Sequence, residues 1–181
     1  MTINTSRARL ALTAGLAVAG LGVIGYGGLA AWSASTTNGG NTITAGTLHM
    51  SNTASATTCT DTAGVCGLVF NVGAIKPGQT VSGTVVITNT GTASGTYTAA
   101  VAASGGTGLC AKLNFSATDE SASALALPAS MANGGITLPA GDVNMAAGQA
   151  HTYTFNATLP AASGNGDQGL TCTFNLVWSA S

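Results

Sequence analysis

AIKPGQTVSGTVVITNTGTASGTYTAAV, residues Ala74 to Val101, is the stretch that decides the fold. Lys76-Pro77-Gly78-Gln79 reads as a turn, since Pro fixes φ and Gly takes the next special position. Beyond it Val81, Gly83, Val85 and Ile87 alternate with Ser82, Thr84, Val86 and Thr88. Asn89-Thr90-Gly91 interrupts the alternation, and Tyr97, Ala99 and Val101 resume it. A period of two with Gly-rich turns between runs predicts antiparallel strands with one face in a core. The KPG turn is not a phosphate loop, because neither a Gly-Lys-Ser/Thr nor a helix-like segment follows it.

The pattern continues on both sides. In HTYTFNATL, His151, Tyr153, Phe155, Ala157 and Leu159 share a face; in LTCTFNLVWSA, Leu170, Cys172, Phe174, Leu176 and Trp178 do. Leu109, Ala111, Leu113 and Phe115 read as another strand, a register that sets Cys110 on the opposite face. Leu68, Phe70 and Val72 alternate as well, and Ile136 to Leu138 is a short strand between two turns. Asp119 to Ala126 is the one segment with the character of a helical turn or two, closed by Leu127-Pro128. The whole predicts an all-β domain, an antiparallel β-sandwich of jelly-roll or Ig-like type with at most one short helix, over residues 42 to 181.

Composition narrows the class. Charged residues are 5% of the 181-residue chain, against about a quarter in ordinary domains. So little charge gives no basic footprint for nucleic acid, which is excluded as a partner, and little repulsion to keep copies apart. Arg7 and Arg9 precede an uncharged apolar run, Leu10 to Leu29, that closes on Ala30 and Ala31. This predicts an export signal over residues 1 to 31, with membrane contact only if the segment stays uncut. The remaining chain keeps Lys76 and Lys112 against Asp61, Asp119, Glu120, Asp142 and Asp167. In an exported chain four cysteines read as two disulfides, for which three pairings exist. Cys59–Cys66 with Cys110–Cys172 is the expected set, because a short hairpin can bring the first pair within bonding distance.

Between the apolar run and the domain lies a junction in three parts. WSASTT (Trp32, Ser33, Ala34, Ser35, Thr36, Thr37) is uncharged, free of Pro and able to extend as a strand. NGGN (Asn38, Gly39, Gly40, Asn41) is a hinge, and TITAGTLHM (Thr42 to Met50) returns to β-favouring residues. The plainer reading of residues 32 to 41 is a frayed terminus.

The run GYGGLAAWSA followed by NTITAGTLHM resembles the start of the TasA and camelysin family of secreted biofilm-matrix proteins. Ala45, Gly46, Thr47 and Leu48 match its AGTLDL-like strand, with His49 and Met50 where Asp and Leu are usual. Ala74 to Val101 is similar to that family's LKPGD and NTGT segment, and FNLVWSA (Phe174 to Ala180) more weakly to its closing strand. The resemblance implies cleavage by a dedicated signal peptidase between Ala31 and Trp32. It also implies a secreted or cell-surface protein whose partners are copies of itself in extracellular fibres. Residues 32 to 37 would then be the donor strand, passed head-to-tail to the next copy.

Catalytic chemistry is sparse. His49 and His151 are far apart, and no carboxylate stands at ligand spacing from either, so no zinc site of a camelysin-like protease is expected. No Gly-x-Ser-x-Gly marks a nucleophile. The acidic residues sit in turn-rich stretches and read as solvated loop charge. The expectation is a structural protein with no catalytic residues, no metal and no cofactor; the alternatives are a monomeric adhesive or binding module, secreted or tethered to the membrane, and, ranked last, a camelysin-like metalloprotease.

Overall fold

The computed structural model describes Thr36 and residues 39 to 181. The expected cleavage point at Ala31 and Trp32 lies outside the described residues, as do Ser33, Ala34, Ser35, Thr37 and Asn38. Thr36, Gly39, Gly40 and Asn41 are exposed and belong to no strand. Thr44–Ser181 forms one compact unit.

In chain order the strands are β1 (Met50–Ala54), β2 (Thr57–Thr60), β3 (Thr80–Asn89), β4 (Gly95–Gly106), β5 (Asn114–Thr118), β6 (Gly134–Ile136), β7 (Asn144–Met145), β8 (Ala150–Thr158) and β9 (Cys172–Ala180). One antiparallel sheet has the order β2-β1-β3-β8-β5. In the other, β4 is central, with β9 along one side and β6 and β7 in tandem along the other. The molecule is an all-β sandwich, and period-two alternation builds its core. Val85 and Ile87 of β3, Tyr97, Ala99 and Val101 of β4, and Tyr153, Phe155 and Ala157 of β8 are all buried. Burying a side chain of the Val, Ile or Phe class contributes about 1.5–3 kcal/mol relative to exposure. Tyr153 stacks on Trp178 of β9 with ring centroids 4.8 Å apart, which ties the two layers together.

Four local expectations are corrected. Leu68, Phe70 and Val72 form no strand. Their segment crosses the inner side of the first sheet as a strap, where the Val69 carbonyl occupies the space that a Cβ on Gly83 would need. Leu109–Ala111 is a 3-10 turn, so β5 begins only at Asn114 and Cys110 is freed from strand alternation. Asp119 to Ala126 forms no helix, because the Asp119 carboxylate accepts the N–H groups of Ser121 and Ser123 and holds a turn instead. Thr42 to His49 are not strand residues; the chain enters the sheet only at Met50.

The two disulfides join Cys59 to Cys66 and Cys110 to Cys172, each with Cα atoms 4.8 Å apart. The second ties the turn after β4 to the start of β9, beside a register shift between Ala102 and Gly105. Such bonds suit an oxidising, extracellular setting. The Cys59–Cys66 loop closes over 7 residues and the Cys110–Cys172 loop over 62. Paired Ser replacements should therefore cost about 4 kcal/mol at Cys110 and Cys172 but only about 2 kcal/mol at Cys59 and Cys66, measured by urea unfolding.

Asn89 is buried where the β3–β4 connection turns. Its amide donates to the carbonyls of Ala93 (2.9 Å) and Met145 (3.0 Å), and its oxygen accepts the Gly91 N–H (3.0 Å). Asn89→Ala would strand all three backbone groups, and should destabilise the domain by about 2–4 kcal/mol in a denaturant titration.

Candidate functional site

Two places in the domain concentrate features that bulk packing does not explain. The first is polar. His151, at the start of β8, points into the end of the sandwich and is 8% exposed. Its Nδ1 lies 2.6 Å from Glu120 Oε1 and 3.4 Å from Asp142 Oδ1. Glu120 is carried there by the turn after β5, and its second oxygen accepts the Thr152 N–H at 2.9 Å. Asp142 precedes β7 and is 4% exposed, and Asp119 is buried too. The reading of these acids as solvated loop charge is therefore corrected for Asp119 and Asp142. Sequence spacing hid the cluster, since 31 residues separate Glu120 from His151 and only the sheet register brings them together.

The ring's hydrogen can be placed from its neighbours. Gln149 Oε1 accepts the Ala146 N–H (2.9 Å), so its amide nitrogen faces His151 Nε2 at 2.8 Å and donates to it. His151 therefore carries its hydrogen on Nδ1 and gives it to Glu120. Glu120, Asp142 and His151 each offer a ligand atom within 4.8 Å of the others, a spacing that a metal ion could bridge. A metal on Nδ1 would move the hydrogen to Nε2, against the Gln149 amide donors. Gln149 would then have to release the Ala146 N–H. The arrangement is better matched to holding two loops onto β8 than to holding a cation.

Its electrostatics give acid sensitivity. Burial pushes Glu120 and Asp119 up, but bonds from Thr152 and His151 to the first, and from Ser121 and Ser123 to the second, outweigh it and hold both below their ordinary values. The bond to His49 and that from the Met50 N–H hold Asp61 low. Burial raises Asp142, and burial with the Asp142 carboxylate raises Tyr153. Stability from the lowered groups is complete above ordinary values of 3.8 for Asp and 4.5 for Glu, and is lost as pH falls through their folded values. Asp142 acts in reverse, since its protonation offsets part of that loss. The melting temperature should therefore fall below pH ~4, and Glu120→Gln should flatten the fall; an unchanged slope would show that Glu120 does not contribute.

The second place is the outer edge of β9. Thr96 and Ser181 exchange backbone hydrogen bonds in both directions. In an antiparallel ladder bonded and non-bonded pairs alternate, so Ser179, Val177 and Asn175 bond to β4. The N–H and C=O groups of Leu176, Trp178 and Ala180 point the other way, where no described strand receives them. Other edges are shorter or closed. β5 is capped by the Thr118–Ala124 bridge, Ala126 pairs Thr137 beyond β6, and β2 has only four residues.

Apolar surface lies along the strap and on β9. Val65, Leu68, Val72 and Val177 are exposed, and Phe70 of the strap meets Phe174 edge-on at 6.1 Å. At the N-terminal end of β9 a cleft of about 590 Å³ is lined by Phe70, Phe115, Phe174, Leu113, Leu159 and Val81. At its C-terminal end a pocket of about 280 Å³ lies between Leu48, His49 and Met50 on one side and Trp178, Ser179 and Ala180 on the other. His49 bonds Asp61 at 3.0 Å across that pocket's rim, a second carboxylate partner that spacing did not reveal. Among the described residues no helix is long and apolar enough to cross a membrane.

No family model matches the chain, and no curated protein matches it either. The likeness to TasA and camelysin rests on the short motifs quoted above.

Proposed function

We propose that this chain is the non-catalytic subunit of an extracellular fibre, exported and cut before Trp32, and linked by strand addition. The observation that carries the reading is the nine-residue edge of β9, uncharged and unpaired among the described residues, in a domain whose other described edges are short or covered. Exposed edges of this length are ordinarily blunted by Lys, Pro or a covering element, because they template pairing with other chains. β9 carries none of these protections on its own residues. A partner strand there would gain backbone hydrogen bonds without needing charge complementarity.

The strand that fits is the segment Trp32 to Thr37, the donor read from the sequence. Six extended residues span about 20 Å, within the roughly 30 Å of β9. A contact between the front of one copy and the edge of the next is head-to-tail and does not close, so it propagates as a filament. The resemblance to secreted matrix proteins agrees with this role, as do the disulfides.

The test is electron microscopy of the mature chain beside a form lacking residues 32 to 37. The mature chain should give filaments, and the shortened one a folded, soluble monomer that makes none. Filaments of equal width from the shortened form would place the linking strand elsewhere. A mature chain that stays monomeric at every concentration would favour a binding module.

A further inference from the structure

The outer face of the five-stranded sheet is an ordered array of hydroxyl and amide side chains. Outward positions fall in register across its strands: Thr84 of β3 stands opposite Thr154 of β8, and Thr154 opposite Thr118 of β5. Ser82, Asn156 and Ser116 form the next row. The face continues onto β1 and β2, where Thr53 stands opposite Thr58. Its positions are exposed along the first half of β3 and half-buried along β8. Ser, Thr and Asn fill these paired positions except at Val86 and Ala150, and no charged or aromatic residue stands among them.

Hydrogen bonds within the face fix its geometry. Thr80 Oγ1 lies 2.7 Å from Thr158 Oγ1, Ser82 Oγ donates to Asn156 Oδ1 at 2.6 Å, and Thr53 Oγ1 lies 2.7 Å from Thr58 Oγ1. Thr is also stiff about χ1, so little side-chain freedom remains to be lost on contact. Strands about 4.8 Å apart, with same-side residues about 6.8 Å apart, give the face on the order of 500 Å². Two such faces together bury on the order of 1,000 Å², the lower bound for a specific protein interface. We infer that this face packs on the same face of a second copy, and that the contact joins fibres side by side. This rests on the fibre reading above and adds a lateral contact to it. β9 belongs to the opposite layer, so a strand added there leaves this face uncovered.

The chemistry of the face selects this occupant. Each Ser or Thr hydroxyl and each Asn amide both donates and accepts, so the array is complementary to itself. Two copies meet there with no like-charge repulsion, while a charged partner finds nothing to pair with. An uncharged glycan finds no aromatic ring to lie against. A second copy also brings the same right-handed twist, which lets two sheets pack face to face. At the lower bound of area one pair of faces holds weakly. Along two fibres many pairs engage together, and multivalency turns the weak contact into a stable one.

The test is electron microscopy and low-speed sedimentation of fibres grown from the mature chain and from Thr84→Lys, Thr84→Glu and Thr98→Lys, each shown to be folded by its thermal transition. Thr84 is exposed within the face, and Thr98 is exposed on β4 in the other layer. Parent fibres should lie side by side and sediment. Either charge at Thr84 should leave single filaments of unchanged width and about ten-fold less sedimented material. Mixing preformed Thr84→Lys fibres with preformed Thr84→Glu fibres should restore side-by-side packing, and Thr98→Lys fibres should sediment as the parent does. Parent filaments that stay single, Thr84 variants that gather as the parent does, mixed fibres that stay apart, or an equal loss in Thr98→Lys would overturn the lateral contact and leave the fibre reading standing. Gathering only after an uncharged polysaccharide is added would assign the face to a glycan and overturn the second-copy inference. If the mature chain forms no filaments the fibre reading falls, and sedimentation equilibrium then decides the face by itself. A concentration-dependent dimer that is lost in Thr84→Lys keeps the face as a self-contact, and monomer throughout overturns it.

Discussion

Unequal sheet width is the constraint on which the rest of this structure depends. Among the described residues five strands form one layer, while across the other three positions are filled: β9, β4, and the tandem pair β6 and β7. The inner face of the wider layer still has to be removed from water, because its apolar side chains are what stabilise the fold. Irregular chain therefore does work that a strand would do in a matched sandwich. The strap after Cys66 covers β1 and β3, and the turns between β5 and β7 bring Leu125, Met131 and Leu138 into the core.

That solution has a polar cost, met in two ways. Irregular backbone brought against a core needs partners for its N–H and C=O groups. At one end of the sandwich Asn89, Asp119 and the Glu120–His151 pair provide many of them, while Asp142 Oδ2 in the same cluster keeps no hydrogen-bond partner among the described residues. Beside β9 the provision is incomplete. Trp178 Nε1 keeps no partner among the described residues, and the outward groups of the β9 ladder meet no described strand.

Low charge ties these features to the proposed way of life. A surface built from Thr, Ser, Ala and Gly offers regular ladders, such as Thr80 with Thr158 at 2.7 Å, but little repulsion between copies. Such a surface is poorly suited to staying dispersed and well suited to ordered association. The disulfides complement it, because a chain outside the cell gains stability from covalent closure that does not depend on charge.

Much of this was legible in the chain itself, for a physical reason. Side-chain period reports directly which face of a strand is buried, so the alternation through β3, β4, β8 and β9 determined the sandwich and most of its core from Val85 to Trp178. Four cysteines in an export context pointed in the same way to two disulfides. Tertiary structure decided what period cannot encode. Leu68, Phe70 and Val72 alternate as a strand would, yet no neighbouring strand lies in register to pair with them, so they became a strap. Asp119 to Ala126 had the residues of a helical turn, but a carboxylate capping the local N–H groups outcompeted it. Glu120, Asp142 and His151 carry no signature of one another, since their meeting depends on strand order and register. The open edge of β9 is of the same kind: whether a strand lies at the centre or the margin of a sheet is set by which other strands reach it, and no residue of β9 records that by itself.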